Sequence, residues 1–132
     1  MVMEPEALKR ILRDRVETAE RLGIPRSRIV VDPGIGFGKT VAHNLELLDR
    51  LPLLAGIGCR ILLGASRKRF LGTLTGEPVA ARRLAGSIAA ALAGVARGAA
   101  ILRVHDVTET MQALAVWRAT LEGAPEADDH EP

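Results

Sequence analysis

Three short polar segments, each following an apolar run, carry residue types suited to holding a flat, charged ligand. They are Asp32-Pro33-Gly34-Ile35-Gly36-Phe37-Gly38-Lys39, Ser66-Arg67-Lys68-Arg69-Phe70 and Arg103-Val104-His105-Asp106-Val107. In the first, a carboxylate precedes three alternating glycines, which permit backbone conformations and close ligand approach that side chains would block. Asp32 suits either of two roles: accepting paired hydrogen bonds from an amidine-like edge, such as that of a pterin or guanine ring, or closing a turn beside Pro33. The second segment sets a hydroxyl among three cations. It reads either as a solvated basic turn or as a ligand contact, in which small Gly64 and Ala65 let a flat ring lie against the backbone while Lys68 donates to ring oxygen and nitrogen. In the third, Arg103 and His105 fall on one side of an extended segment, and a helix start just behind them adds partial positive charge. An Arg, an imidazole and a helix start make an anion site; a lone buried His would instead be structural.

Two better-known phosphate-binding patterns are imitated and fail. Gly34-x-Gly36 has its third glycine at 38 where a dinucleotide fingerprint needs 39, and a phosphate loop ending in Gly38-Lys39-Thr40 needs a glycine at 33, which is Pro. His43 and Asn44 read as caps of the helix they open, and His130 lies near the carboxyl end. No His, Cys, Asp and Glu residues recur at metal-ligand spacing, so no protein-held metal is expected from the pattern.

The elements that position these segments follow from periodicity. Ile29-Val30-Val31, Ile61-Leu62-Leu63-Gly64 and Ala100-Ile101-Leu102 are short, uncharged and mostly branched, as in strands buried on both faces. Strands are predicted at about 28 to 32, 60 to 64 and 100 to 104. A helix opens at Pro5 and runs through Leu8, Ile11, Leu12, Val16 and Ala19 to a left-handed Gly23. Further helices are predicted from near His43 or Asn44 to Leu54, at about 67 to 74, at about 79 to 97, and from Val107 or Thr108 to near Leu121. Asp106 or Thr108 is placed to cap the last of these. The order α-β-α-β-α-β-α demands parallel strands with helical crossovers. Three such strands leave bare edges and uncovered faces, so they are expected to form part of a larger barrel or sheet.

Length and composition bound the function. At 132 residues the chain suits one domain, over residues 1–122, followed by an acidic, Pro-containing tail over 123–132 that is expected to be disordered. Eighteen Lys and Arg against sixteen Asp and Glu are scattered, and only two Phe and one Trp are available for stacking, so nucleic acid is not an expected partner. No apolar stretch reaches the roughly 18 to 20 residues of a membrane span, and a membrane is not an expected partner either. The single Cys59 excludes an intramolecular disulfide, reads as a small buried apolar residue, and fits a cytoplasmic setting.

The three segments together resemble the carboxy-terminal part of the dihydropteroate synthase family. Asp32 to Lys39 looks like the sixth-strand signature of that family's TIM barrel, Leu63 to Phe70 its seventh, and Arg103 to Val107 its eighth. Leu84-Ala85-Gly86-Ser87 resembles the helix after strand seven, so the likeness covers about residues 5 to 122. The fold implied is a partial TIM (β/α)8 barrel. The activity implied is condensation of 7,8-dihydropterin-6-ylmethyl diphosphate with 4-aminobenzoate, giving dihydropteroate and diphosphate. Carried over by resemblance, Asp32 and Lys68 hold the pterin edge, with Gly64 and Phe37 lining the pocket. Arg103 stacks on the pterin and, with His105, clamps the diphosphate, while Ser66, Lys68 and Phe37 lie towards the aminobenzoate. Lys68, Arg103 and His105 are the catalytic residues implied. Mg²⁺ is implied as well, with its protein ligand in the strand one to five region of the family, which this chain does not carry. The chain is accordingly expected to be a truncated portion, inactive alone, and to partner either with another copy or with a complementing amino-terminal fragment. Two other readings are an oligomerising module with residual pterin or anion binding and no catalysis, and an active enzyme reconstituted with a separately encoded amino-terminal half.

Overall fold

A computed structural model of the chain describes residues 4–123. Apart from Gly123, the expected tail and His130 lie outside them. Among the described residues six helices and three strands follow one another: α1 (Pro5–Arg21), β1 (Val30–Val31), α2 (Val41–Asp49), α3 (Leu51–Ala55), β2 (Arg60–Leu63), α4 (Arg69–Thr75), α5 (Leu84–Ala96), β3 (Ala99–Leu102) and α6 (Val107–Glu122). The strands form one parallel sheet in the order β1-β2-β3.

Local chemistry explains where the boundaries differ from the sequence expectation. The first strand is only two residues long, because Arg26–Arg28 take a 3-10 turn and the Asp32 carboxylate bends the chain by accepting from the Gly34 N–H. The helix expected to open at His43 or Asn44 starts sooner, since the Thr40 hydroxyl already accepts the His43 N–H. It breaks at Arg50, two residues before Pro52, which has no N–H to continue the ladder. The segment expected to be one helix from 79 to 97 splits into a 3-10 turn at Ala80–Arg82 and α5, with Arg83 off helical geometry between them. The helix expected from 67 begins at Arg69, because Arg67 is left-handed at φ 59°. Asp106 stands at the cap position of α6 but makes no capping bond.

The core gathers Leu51, Leu54, Ile57, Ile61, Leu63 and Ile35, all essentially inaccessible. Val31, Ile61 and Leu63 share the buried sheet face, onto which the helices pack. The apolar runs predict strands buried on both faces, but the structure covers one face only: Val30, on the opposite face, is 42% exposed. Among the described residues, β1 and β3 each pair with β2 alone, so both outer edges are open. Cys59 is likewise only partly buried, against the Arg26 carbonyl, and desolvation raises its thiol pKa.

Helix α5 approaches the sheet through small residues. A Cβ at Gly94 would collide with Leu63 Cδ2, whereas one at Gly86 would meet only ordinary contacts at 3.6 and 3.8 Å. Gly94→Ala is therefore expected to destabilise the chain by about 1 to 3 kcal/mol through overpacking. Gly86→Ala should be neutral or stabilise by up to about 1 kcal/mol through helix propensity. Urea denaturation of the two variants checks the contrast.

Candidate functional site

The register of the sheet sets Leu63 beside Leu102, so the residues that follow, Gly64 and Arg103, leave β2 and β3 at the same level. The Arg103 N–H donates to the Leu63 carbonyl at 2.9 Å, holding that level one residue past β3. Its guanidinium lies flat on Gly64: a Cβ there would sit 2.6 Å from Nη2 and 3.0 Å from Cζ. Glycine at 64 thus leaves room for the close approach of a side chain, and it has no positive φ that would call for glycine on backbone grounds. From β1, Asp32 Oδ2 reaches to 3.5 Å from Arg103 Nη1, while Oδ1 accepts the Gly34 N–H at 2.8 Å. Both readings of Asp32, turn former and strand-end acceptor, are compatible with that one carboxylate.

The glycine segment after Asp32 is pinned from two sides. Gly34, Gly36 and Gly38 all have positive φ, and the Gly36 N–H donates to Asn44 Oδ1 at 2.8 Å. Lys39 Nζ donates to the Gly34 carbonyl at 2.6 Å and to the Phe37 carbonyl at 3.2 Å. Burial lowers the Lys39 pKa, with the Asp32 charge opposing. Pinned in this way, Phe37 stands 64% exposed, and Lys68 Nζ lies 4.1 Å from its ring centroid. The lysine stem also crosses Gly36, where a Cβ would meet Lys68 Cδ at 2.9 Å. At the third exit, Ser66 Oγ is 2.9 Å from His105 Nδ1 and accepts the His105 N–H at 3.3 Å.

Phe37, Gly64, Ser66, Lys68, Arg103, Val104 and His105 line one open cleft of about 470 Å³. Of the substrate-binding residues that the family resemblance implies, all but Asp32 line it, and Asp32 joins through Arg103. The cations of Ser66-Arg67-Lys68-Arg69 separate: Lys68 enters the cleft, Arg67 pairs with Asp106, and Arg69 starts α4 beside a second hollow of about 570 Å³ with Lys39 and Thr40. Asn44, expected as a helix cap, is instead a buried support for the loop that carries Phe37. Arg83 and Ser87 were not legible as supports, since the Arg67 backbone groups they hold are brought near only by folding, and Lys39 was not because its partners are carbonyls of the turn itself. Among the described residues no three His, Cys, Asp or Glu gather around a point, and Asp32 and Asp106 both face arginines. These residues do not fit a resident magnesium ion.

The lowered pKa of Lys39 has a definite sign in stability. The unfolded chain holds this proton more tightly than the folded one, so the charged lysine's burial penalty is present at neutral pH and fades as pH rises towards the ordinary lysine range. The stability of the wild type minus that of Lys39→Met is therefore expected to increase over that alkaline window. Urea midpoints measured for both proteins between neutral pH and the lysine range read the difference; a flat or falling one contradicts the burial.

The sequence and fold have counterparts among known proteins. Residues 5–105 match the family model described as pterin binding enzyme. A dihydropteroate synthase of Neisseria meningitidis serogroup C is 52% identical over 111 residues, which is 83% of this chain and 39% of that protein. The dihydropteroate synthase of Xanthomonas albilineans in complex with 7,8-dihydropteroate superposes with a TM-score of 0.85 at 47% identity, over 89% of this chain and 45% of that one. The same enzyme with 4-aminobenzoic acid gives the same score and identity, over 89% and 43%. The chain therefore spans about two fifths of the length of the Neisseria meningitidis synthases it matches. Its open three-stranded sheet corresponds to part of their TIM barrel. With more than half its length matched, and with the cleft at its strand ends, the chain belongs to the family of pterin-binding enzymes.

Proposed function

We propose that this chain provides the pterin- and diphosphate-binding part of a dihydropteroate synthase. The observation that carries the reading is the flat slot between the Arg103 guanidinium, seated on Gly64, and the Lys68 and Phe37 pair. A planar heterocycle fits such a slot, with Arg103 against its face, Lys68 donating to its carbonyl oxygen and ring nitrogen, and Asp32 accepting from its amidine-like edge. Solved relatives bound to 7,8-dihydropteroate and to 4-aminobenzoic acid support the same assignment.

The reaction breaks the bond between the pterin methylene carbon and a diphosphate oxygen, the electron pair leaving with the diphosphate. The amine nitrogen of 4-aminobenzoate then supplies the pair for the new C–N bond and gives up a proton. Charge develops in opposite senses at the two ends of the breaking bond. Cations fixed before the reaction stabilise the leaving diphosphate most effectively, because they need no reorganisation as the charge develops. Arg103 is the cation so fixed, and the start of α6 lies just beyond His105. With Nδ1 engaged by Ser66, Nε2 is the His105 nitrogen left for a phosphate oxygen. Phe37 and Ser66, on the same cleft, face the incoming aminobenzoate.

A second reading, that the chain assembles with another polypeptide before it acts, is favoured by the open edges of β1 and β3. A groove of about 500 Å³ beside β3, with Val107, Met111 and Leu114, adds to it. Sedimentation of the chain separates the cases: a stable monomer removes this reading, and a dimer or a complex with an amino-terminal half supports it.

Calorimetric titration with the pterin diphosphate tests the first reading. Lys68→Ala is expected to weaken binding about ten- to a hundredfold, the value of one charge-assisted hydrogen bond. Gly64→Ala should displace the Arg103 guanidinium and weaken binding by a similar factor without loss of fold. Unchanged affinity in either variant overturns the slot.

A further inference from the structure

Arg67 and Asp106 lie outside the cleft, yet each adjoins the residues that form it: Ser66 and Lys68 on one loop, His105 on the other. We propose that these two residues, held by Ser87 and Arg83, are positioning residues that set the β2 and β3 loops against each other. The proposal rests on the cleft being the binding site argued above.

Arg67 is the one non-glycine residue with positive φ among those described, at 59°. Such a conformation persists in an L-residue only where its surroundings hold it. Here every polar group of its backbone is held. The N–H donates to Ser87 Oγ at 2.9 Å, and the carbonyl accepts from Arg83 Nη1 at 2.9 Å. Ser87 in turn donates to the Arg83 carbonyl at 2.6 Å. Arg83 also donates to the carbonyls of Glu77 and Pro78, and lies on Gly72, where a Cβ would meet its Cζ at 2.6 Å. The left-handed turn sends Ser66 and Lys68 on either side of Arg67 into the cleft.

The guanidinium then crosses to the next loop. Arg67 Nη2 is 3.1 and 3.4 Å from the two Asp106 carboxylate oxygens, and both side chains are partly buried. Asp106 occupies the cap position of α6 without capping it, so its acceptors serve Arg67 instead of the helix. One residue away, His105 is bonded through both its ring and its backbone N–H to Ser66. Two links thus join the same two loops side by side: an ion pair behind the cleft and the Ser66–His105 pair on it.

Electrostatics and positioning predict opposite signs for one substitution. Asp106→Ala removes a negative charge near an anion site, so a purely electrostatic role would tighten binding of inorganic diphosphate. A positioning role predicts that affinity falls about three- to tenfold. Arg67→Gly keeps the left-handed backbone available and deletes only the guanidinium, so it serves where Asp106→Ala perturbs folding. In both variants the ¹⁵N resonances of the His105 ring should move towards those of Ser66→Ala, in which the bond is absent. Unchanged His105 resonances in the two folded variants, or diphosphate binding that is unchanged or tighter in Asp106→Ala, would overturn the proposal. If the wild-type chain does not take up diphosphate, the proposed binding function fails, and the His105 resonances alone decide whether Arg67 and Asp106 position the loops.

Discussion

The parallel register of β2 against β3 is the constraint on which the rest of the site depends. Because Leu63 sits beside Leu102, Gly64 and Arg103 emerge together, and the arginine side chain is laid across the bare glycine instead of being sent into solvent. A strand slipped by one residue would carry its side chains to the opposite face, separating Arg103 from both Gly64 and Asp32. The same register brings Ser66 to His105 and Arg67 to Asp106, so a backbone ladder only four residues long on each strand organises contacts between two loops far apart in sequence.

That register is itself held from behind by close packing. Gly94 allows α5 to press onto Leu63, and the large side chains of α3 and β2 fill the space beneath the sheet. Interiors packed at this density transmit small displacements, so a methyl group at Gly94, pressing on Leu63, and a methyl group at Gly64 act on adjacent residues at the carboxyl end of the same strand. One disturbs the seat of β2, the other the group that rests on its exit.

Charge is apportioned so that some cations stay available and others are consumed. Asp106 pairs with Arg67 away from the cleft, and Arg83 is spent on carbonyl oxygens. Asp32 meets Arg103 at 3.5 Å, a looser and more exposed contact. Lys68 is held over Phe37, a contact to a ring face that leaves its hydrogens free to donate. The basic Ser66-Arg67-Lys68-Arg69 run is therefore neither a uniform ligand surface nor a solvated turn. One of its cations supports, one enters the cleft and one begins a helix.

Much of this was legible along the chain. Apolar runs ending in polar segments marked the three strands and their exits, helical periodicity marked most of the connections, and residue types at those exits marked nearly every side chain that lines the cleft. These features are local, because periodicity and residue chemistry act over a few positions. What the chain alone did not disclose is which groups are spent on structure. Thr40 displaced His43 as a helix cap, Asn44 turned to a loop, Asp106 turned from its helix to Arg67, and the strands were covered on one face only. Each outcome is a competition between a near partner and one that only folding brings close. Residue types and their order along the chain say which side chains could do the chemistry; folding selects those left free to do it, because hydrogen-bonding capacity used in the fold is no longer available to a ligand.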